Sequence, residues 1–431
     1  MPVTFWCERA WVADEVAERV LVTCDDDGVI TAVTPDADPG TAHRLTGMVF
    51  PGFANAHSHA FHRALRGRTH ADGGTFWTWR EAMYSLAERL DPDSYYALAR
   101  LVYAELVSAG FTCVGEFHYL HHAPGGARYA DPNAMGHALI QAAADAGIRI
   151  TLLDTCYLAG GLDSSGYRPL TGTQLRFGDG DVAGWAARYA DLRAAPHARI
   201  GAAVHSVRAV PATELPGVAV AARGAPVHVH LSEQTAENLA CQAYHGMSPT
   251  ALLASAGILG PDTTAVHATH LSDEDIRSLG STACFCPTTE ADLADGIGPA
   301  HELASAGCPI ALGTDQHAVV DPFLEARALE HGERLRTGLR GRFTPAQLIT
   351  AATAAGHRAL GWPSAGRIAV GAPADLVAVS LDSPRTAGSA PEQLILTATA
   401  SDVDTVVVGG RVVERGSVGS ELARLIGELT A

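Results

Sequence analysis

The sequence contains no lysine, and all 30 basic residues of the 431-residue chain are arginines. This absence excludes a Schiff-base lysine, a P-loop lysine and a carbamylated lysine that bridges two metal ions. Positive charge is scarce as well, because 47 Asp and Glu residues give a formal net charge of -17. Nucleic-acid-binding proteins normally present a basic patch or stripe, so we expect no nucleic-acid partner.

Long hydrophobic runs are also missing, and no apolar stretch approaches the roughly 18 residues of a membrane span. The N-terminus lacks the basic region and the apolar segment of a secretory signal. The eight cysteines are scattered, and the close pair Cys284 and Cys286 lies in an apolar run, where reduced core thiols are expected. These features predict a cytoplasmic protein with no membrane association.

Hydrophobic residues are plentiful, at 47% of the chain, and they support a large core. Near both termini, short apolar runs separated by turn residues predict strands and hairpins. Because the two ends share this pattern, we predict one discontinuous β-sandwich domain built from residues 1–49 and 365–431. Residues 50–364, which lie between them, are predicted to form the catalytic domain.

In the middle of the chain, apolar strand candidates alternate with segments of helical period. The eight candidates are Met48–Ala56, Thr112–Phe117, Ile148–Cys156, Ile200–Val204, Val227–Leu231, Thr264–Ala268, Thr282–Cys286 and Pro309–Gly313. Eight strands separated by helices over about 300 residues predict a (β/α)8 TIM-type barrel. In that fold the chemistry lies at the C-terminal ends of the strands, so polar residues there are the candidates for a site.

Four of these strand ends carry histidine or aspartate. The residues are His57 and His59 after the first strand, His230 on the fifth, His267 on the sixth and Asp315 after the eighth. Residues i and i+2 of an extended strand point to the same face, so the first two imidazoles can reach one ion. Imidazole nitrogens with one carboxylate, and a position left for water, are typical of a catalytic zinc-type site.

Several segments at these positions resemble the amidohydrolase superfamily, namely PGFANAHSHAFHRALRG, HVHLSEQ, VHATHL, LGTDQH and the terminal GAPADLVAV. Within that superfamily the chain is most similar to the N-formimidoyl-L-glutamate deiminases of histidine degradation, through FWTWREAMY, GEFHYLHH, HSVRAV and CPTTEADLADG. The resemblance implies hydrolytic deamination of N-formimidoyl-L-glutamate to N-formyl-L-glutamate and ammonia by a metal-activated water.

The resemblance also implies a role for each matching residue. The residues that match metal ligands are His57, His59, His230 and Asp315. The candidate catalytic residues are Glu233, His267 and Asp315. Glu233 matches the acid that handles protons at the substrate nitrogen, and His267 matches the histidine of the sixth strand that faces the metal-bound water. Those that match substrate-binding positions are His62, Arg80, Tyr119, His205 and Arg208. His62 departs from the family pattern, which often has glutamine there, although both side chains can donate a hydrogen bond.

We expect one divalent metal per chain, zinc with Fe2+ as the alternative, because the fourth strand offers only His205 and no lysine can supply a bridge. A small dicarboxylate substrate suits Arg80 and Arg208, since guanidinium pairs with carboxylate through two parallel hydrogen bonds. Membership of this superfamily also implies a homodimer.

Three alternatives stay open. The first is another deaminase of the superfamily that acts on a ring such as guanine or a purine nucleoside, and the second is a formimidoylglutamate hydrolase that releases formamide. The third is a non-catalytic zinc-binding barrel that serves as an interaction module. Other histidines are expected to be structural: His228 in a layer inside the barrel, His270 in a loop, and the group His118, His121 and His122 rather than a second metal site.

Overall fold

The computed structural model describes residues 3–70, 73–414 and 416–430, and the strands within them form three sheets. The strands are β1 (Val3–Val12), β2 (Glu15–Cys24), β3 (Ile30–Thr34), β4 (His43–Pro51), β5 (Phe53–Ser58), β6 (Phe111–His118), β7 (Arg149–Cys156), β8 (Gly161–Asp163), β9 (Gly166–Arg168), β10 (Ala198–Val204), β11 (Val227–Leu231), β12 (Thr263–His267), β13 (Thr282–Phe285), β14 (Ile310–Leu312), β15 (Leu376–Val379), β16 (Val403–Val408) and β17 (Arg411–Val412). The ends of the predicted β domain, Met1, Pro2 and Ala431, and its residue Arg415 lie outside the described residues.

The α-helices lie mostly between barrel strands. They are α1 (Phe76–Ala87), α2 (Pro92–Ser108), α3 (Ala134–Ala146), α4 (Val182–Tyr189), α5 (Leu215–Ala221), α6 (Thr235–His245), α7 (Pro249–Ser255), α8 (Asp273–Ser278), α9 (Pro287–Asp292), α10 (Ala300–Ser305), α11 (Pro322–Thr337), α12 (Pro345–Thr350), α13 (Gly356–Ala359) and α14 (Gly419–Thr430). A π-helical turn at Ala351–Ala355 joins α12 to α13. Among the described residues, no helix is both long and apolar enough to cross a membrane.

The predicted barrel is confirmed: strands β5, β6, β7 and β10 to β14 form one eight-stranded parallel sheet. Every residue of β6 and β7 is buried, as expected where helices cover the outer face of a parallel sheet. The edges of this sheet meet at the C-terminal end, where Ser58 bridges to Asp315. There the amide of Asp315 donates to the carbonyl of His57 at 3.0 Å. Closure therefore joins the segments that carry the first and last candidate ligands.

The first predicted strand, Met48–Ala56, spans the end of one strand and the start of another. Strand β4 belongs to the terminal sheet and β5 to the barrel, and Gly52 separates them. A Cβ atom at Gly52 would lie 2.2 Å from Thr112 Oγ1, so a larger residue does not fit there. The apolar run continues through this crossing because the residues on both sides are buried, which explains why the sequence pattern shows one strand.

The predicted β domain from both termini is also confirmed, as a seven-stranded sheet in the order β17-β16-β15-β4-β1-β2-β3. The pairing of β1 with β4 is parallel, while the other strand pairs are antiparallel. An isolated bridge between Val29 and Pro373 brings the sheet back on itself around its own apolar core.

The prediction of β-structure at the C-terminal end is wrong for α14, which is an amphipathic helix. Its buried residues are Leu422, Leu425, Ile426 and Leu429, a spacing that places them on one helical face. Arg100 of α2 binds Glu421 at 2.7 Å, so this helix packs against the barrel. The preceding hairpin has a hydrophobic period of two residues, and the prediction extended this period into a segment whose apolar residues recur about every 3.6 residues.

Candidate active site

The four predicted metal ligands converge at the C-terminal mouth of the barrel. The group comprises His57, His59, His230 and Asp315, all buried, and their candidate donor atoms lie within 4.8 Å of one another. Asp315 Oδ1 is 3.2 Å from His57 Nε2 and 3.3 Å from His59 Nε2. These spacings fit donor atoms that share one ion, since each donor then stands about 2 Å from it.

Backbone carbonyls fix the tautomers of two of these histidines. Nδ1 of His59 lies 2.9 Å from the carbonyl of Phe117, and Nδ1 of His230 lies 3.0 Å from the carbonyl of His205. Because a carbonyl only accepts, each Nδ1 carries the proton and each Nε2 presents a lone pair. Burial, together with neighbouring His57, lowers the pKa of His59 to about 3, so its ring is neutral.

The short distance between two of the imidazoles fits a shared cation. Nε2 of His57 and Nε2 of His230 are 3.1 Å apart. Burial and the surrounding histidines lower the pKa of both rings well below the usual value, so neither is a ready proton carrier. Two neutral nitrogen lone pairs at this separation repel one another unless a cation attracts both. The donor set, three imidazoles and one carboxylate, therefore fits a divalent metal such as zinc.

The catalytic candidates Glu233 and His267 lie beside the metal-donor group. Nε2 of His267 is 3.8 Å from Glu233 Oε1, and its Nδ1 is 3.4 Å from Glu290 Oε1. The backbone is left-handed at His267, with φ of 69°, and at Asp315, with φ of 43°. Such conformations cost non-glycine residues about 1–3 kcal/mol and are held only where surrounding contacts enforce them. Here they turn the chain at the strand ends.

Carboxylates around His267 set the electrostatics of this side of the site. Burial lowers the pKa of His267, but Glu233, Glu290 and Asp315 more than offset this and raise it to about 10. Burial raises the pKa of Glu233, against the opposing effects of His267 and Arg208. A divalent cation at the neighbouring donor group would lower both pKa values, because it disfavours further positive charge and favours carboxylate. The charge states of Glu233 and His267 therefore depend on whether a metal is bound.

A cleft of about 680 Å³ opens from the candidate ligands. The predicted substrate-binding residues all line it, namely His62, Arg80, Tyr119, His205 and Arg208. Its walls are largely aromatic, with Trp79, Tyr157 and Phe177 among them. A cleft with apolar walls and a few convergent polar groups is the usual form of a small-molecule site.

The two arginines of the cleft differ in their surroundings. Nε of Arg208 donates to Glu237 Oε2 at 2.7 Å, and its Nη2 lies 3.7 Å from Glu233 Oε2. The guanidinium of Arg80 stacks over the rings of Trp77 and Tyr84, at 4.6 and 5.5 Å from their centroids. Within the described part of the chain, Arg80 has no carboxylate partner. It is thus the cation most available to an anionic ligand.

The other predicted cleft residues form polar contacts close to the donor group. Nε2 of His62 lies 2.9 Å from the hydroxyl of Tyr119, and the His62 ring lies 4.4 Å from that of His59. His205 stacks edge-on against Tyr157 at 4.4 Å and holds His230 through its own backbone carbonyl. At the position where the family often has glutamine, His62 therefore still supplies a polar group next to Tyr119.

The sequence pattern assigns no role to three residues near the cleft, Gln174, Glu290 and Asp295. Nε2 of Gln174 donates to the hydroxyl of Tyr84 and to the carbonyl of Gly160, both at 3.1 Å, and ties α1 to the loop after β7. Gln174 lies in a short 3-10 segment without a periodic pattern, so nothing singled it out. Glu290 and Asp295 did carry a signal, since both belong to the CPTTEADLADG segment, but the motif gave them no role.

The histidines that are expected from the sequence to be structural lie apart from the cleft. His228 Nε2 is 3.0 Å from the carbonyl of Ala359, inside the barrel and below the donor group. His270 lies in the loop after β12. His118 and His121 do converge with Asp154, within 4.8 Å. That carboxylate already accepts hydrogen bonds from Arg188 at 2.7 Å and Trp185 at 2.9 Å, and His122 pairs separately with Asp179 at 3.0 Å.

A parallel barrel with His-x-His at the end of its first strand, and a further histidine and an aspartate at the same mouth, is typical of a metal-using hydrolase. A profile of the amidohydrolase family matches residues 48–413, and the chain belongs to that family. Members of this family use a metal. Because the chain belongs to the family and is similar to deaminases within it, it is an enzyme that acts on C–N bonds.

Two relatives and one solved structure illustrate the similarity. The formimidoylglutamate deiminase of Pseudomonas aeruginosa is 36% identical over 431 residues, covering 95% of this chain and 94% of that protein. The 8-oxoguanine deaminase of the same organism is 33% identical, covering 88% and 85% of the two chains. The crystal structure of an amidohydrolase from Brucella melitensis superimposes with a TM-score of 0.90 at 31% identity, over all of both chains.

Proposed function

We propose that the enzyme hydrolyses N-formimidoyl-L-glutamate to N-formyl-L-glutamate and ammonia, with Zn2+ as its metal and Fe2+ as the alternative. The observation that carries this proposal is the pairing of a four-residue metal-donor group with two arginines in one cleft. A substrate with one hydrolysable C–N bond and two carboxylates matches both features. The relative that shares 36% identity is a formimidoylglutamate deiminase, which supports the same choice.

Charge recognition supports the dicarboxylate. Each guanidinium can pair with a carboxylate through two parallel hydrogen bonds, which gives orientation as well as affinity. Arg80 has no carboxylate partner among the described residues, so a substrate anion would supply its only one. Arg208 uses Nε for its hydrogen bond to Glu237, and within the described residues its two Nη atoms donate no hydrogen bond, although one lies 3.7 Å from Glu233. In a chain with a formal charge of -17, these local cations offset the repulsion of a dianion.

The residues beside the donor group supply proton transfers. A divalent metal held by His57, His59, His230 and Asp315 would acidify water and so supply the nucleophile. Asp315 accepts a proton as the oxygen adds to the formimidoyl carbon. Glu233 protonates the terminal imine nitrogen during this addition. The remaining hydroxyl proton of the tetrahedral intermediate then passes by way of Asp315 and Glu233 to the same nitrogen, so that both protons of the water leave with it as ammonia. His267 donates a hydrogen bond to the oxygen on which negative charge develops. The formyl oxygen derives from water, and the bond broken is the one to the terminal nitrogen.

A panel of substrates tests the proposed reaction. We expect ammonia release from N-formimidoyl-L-glutamate with a kcat/KM at least 100-fold above that for 8-oxoguanine, guanine or adenosine. The aromatic walls of the cleft favour a ring substrate, through stacking on side chains such as Trp79 or Tyr157, and so does the 33% identity to an 8-oxoguanine deaminase. A higher kcat/KM for any of the purines would replace the dicarboxylate with a ring as the substrate.

Replacing Arg80 with alanine is expected to lower kcat/KM for formimidoylglutamate at least about tenfold. A charge-assisted hydrogen bond contributes roughly 1.5–3 kcal/mol, and about 1.4 kcal/mol corresponds to a factor of ten. Arg80→Ala is a cleaner test than Arg208→Ala, because Arg208 also balances the buried carboxylate of Glu237. The measurement is steady-state kinetics on formimidoylglutamate and on formimidoylglycine, which lacks one carboxylate.

The loss should shrink on whichever truncated substrate lacks the carboxylate that Arg80 binds, and metal content should stay constant. Arg424→Ala, which removes an exposed arginine of α14, is the matched control and should leave kcat/KM unchanged. Formimidoylglycine lacks the γ-carboxylate and the α-amide of formimidoylglutamate lacks the α-carboxylate. An equal relative loss on these two and on the full substrate would show that Arg80 does not recognise a carboxylate.

A further inference from the structure

A buried polar chain lies directly behind the metal-donor group, and no role in the proposed reaction accounts for it. Its members are Asn55, Ser58, Glu116, Thr314 and His317, each fully or almost fully inaccessible to solvent. Two of them flank candidate ligands in sequence: Ser58 lies between His57 and His59, and Thr314 precedes Asp315. We infer that this chain, called here the clasp, consists of positioning residues that fix three of the four metal donors and thereby set metal affinity.

Glu116 holds the segment of His59 from both sides. Its Oε2 accepts a hydrogen bond from the hydroxyl of Ser58 at 2.9 Å, and its Oε1 accepts one from the amide of Ala60 at 2.7 Å. The next residue of β6, Phe117, binds Nδ1 of His59 through its carbonyl. Three consecutive residues of one strand end are thus bound by two consecutive residues of β6. This leaves the His59 ring little freedom to turn away from the donor group.

The same hydroxyl connects the first barrel strand to the last. Ser58 Oγ lies 3.0 Å from Nε2 of His317, which follows Asp315 by two residues. Nδ1 of His317 lies 3.1 Å from the hydroxyl of Thr314. The same hydroxyl accepts a hydrogen bond from the side-chain amide (Nδ2) of Asn55 at 2.8 Å. The strand that carries His57 and the turn that carries Asp315 are therefore joined at two places besides the backbone bridge.

The donors and acceptors of the clasp can be assigned in a single direction. Asn55 donates to Thr314, whose hydroxyl donates to Nδ1 of His317. Nε2–H of His317 then donates to Ser58, whose hydroxyl donates to Glu116. Every hydroxyl both donates and accepts, and the series ends on a carboxylate that also holds a backbone amide. Fully satisfied buried networks of this kind rigidify their surroundings, whereas a partly satisfied one is costly.

The clasp lies behind the metal ligands, in the position of the outer-shell residues that hold ligands in place in metal sites. Backbone hydrogen bonds cross the seam between β5 and the turn after β14, since the amides of Thr314 and Asp315 donate to the carbonyl of His57 and the amide of His59 donates to the carbonyl of Asp315. The side chains of the clasp add further links to this closure. Two of the four donors, His57 and Asp315, lie on opposite sides of that seam. Outer-shell partners of ligands typically change metal affinity 10–100-fold when mutated.

Direct measurement of zinc affinity tests this inference and needs no substrate, so it fails or succeeds independently of the proposed reaction. The probe is Zn2+ alone, titrated into chelator-treated protein against a competing chelator dye. For Glu116→Gln we expect the dissociation constant to rise 10–100-fold. Both oxygens of Glu116 accept, and an amide can accept at only one of them, so a donor would then face another donor. Ser58→Ala should produce an effect of the same size.

Ser281→Ala is the matched control, because Ser281 is also buried and hydrogen-bonded but lies before β13, at the opposite end of the barrel. Its zinc affinity should equal that of the unmodified protein. Urea unfolding of the metal-free variants separates the two possible roles. Zinc affinities of Glu116→Gln and Ser58→Ala equal to the unmodified value, with only metal-free stability lowered, would overturn the inference. If those variants do not fold, Thr314→Val, which keeps side-chain volume and removes one link, gives the same comparison.

Discussion

Glu233→Gln is expected to lower kcat/KM for formimidoylglutamate by about 10²–10⁴-fold, the usual contribution of a positioned acid–base group. The amide has nearly the same shape and can still form hydrogen bonds, but it cannot deliver a proton to the leaving nitrogen. Burial raises the pKa of Glu233, and a divalent cation at the donor group would act against this rise. The measurement is steady-state ammonia release at several pH values.

Metal content and substrate affinity are the controls for this variant. Glu233 is not among the four donors, so the metal should stay bound. Glu237→Gln offers a useful contrast, since Glu237 is buried nearby and contacts Arg208 rather than the reacting atoms. We expect that variant to raise KM more than it lowers kcat. Loss of metal in Glu233→Gln would mean that Glu233 is a ligand, and retention of full kcat would exclude it as the proton donor.

Replacing His230 with glutamine is expected to release the metal and to lower kcat/KM at least about a thousandfold. A catalytic metal supplies several kcal/mol of transition-state stabilisation, and about 4 kcal/mol corresponds to that factor. His228→Gln is a control on the same strand and the same face. His228 is also fully buried, but it contacts the carbonyl of Ala359 and not the donor group.

Elemental analysis beside the kinetics completes this test. We expect about one divalent metal per chain in the unmodified protein and in His228→Gln, and a small fraction of one in His230→Gln. Chelator treatment of the unmodified protein should abolish ammonia release, and added Zn2+ or Fe2+ should restore it. Two equally occupied metals, or full activity of the His230 variant, would contradict the mononuclear site.

Much of the barrel follows from the sequence because its strands are buried on both faces. Such strands are continuous apolar runs, and polar residues stand out where each run ends. The i, i+2 spacing of His57 and His59 then carries three-dimensional information, since it places two side chains on one face. The sequence alone therefore predicts the members of the donor group.

Other features depend on contacts between distant segments. Glu116 lies in the middle of an apolar strand, and only the fold shows that it holds Ser58 and Ala60. The boundary at Gly52 is invisible in the pattern because both flanking strands are buried. The helix α14 follows a hairpin, and few turn or capping residues mark the boundary between them. The sequence pattern therefore predicts β-structure where the chain forms an amphipathic helix. Long-range hydrogen bonds leave no local periodicity, and these are what the sequence pattern misses.

The sharpest test of the proposed deamination is product analysis by nuclear magnetic resonance. The purified protein, with its metal content measured, is incubated with N-formimidoyl-L-glutamate labelled with 13C in the formimidoyl group. We expect the labelled carbon to appear in N-formyl-L-glutamate, with one equivalent of ammonia released for each substrate consumed. Labelled formamide together with free glutamate, or no turnover by metal-loaded enzyme, would contradict the proposed reaction.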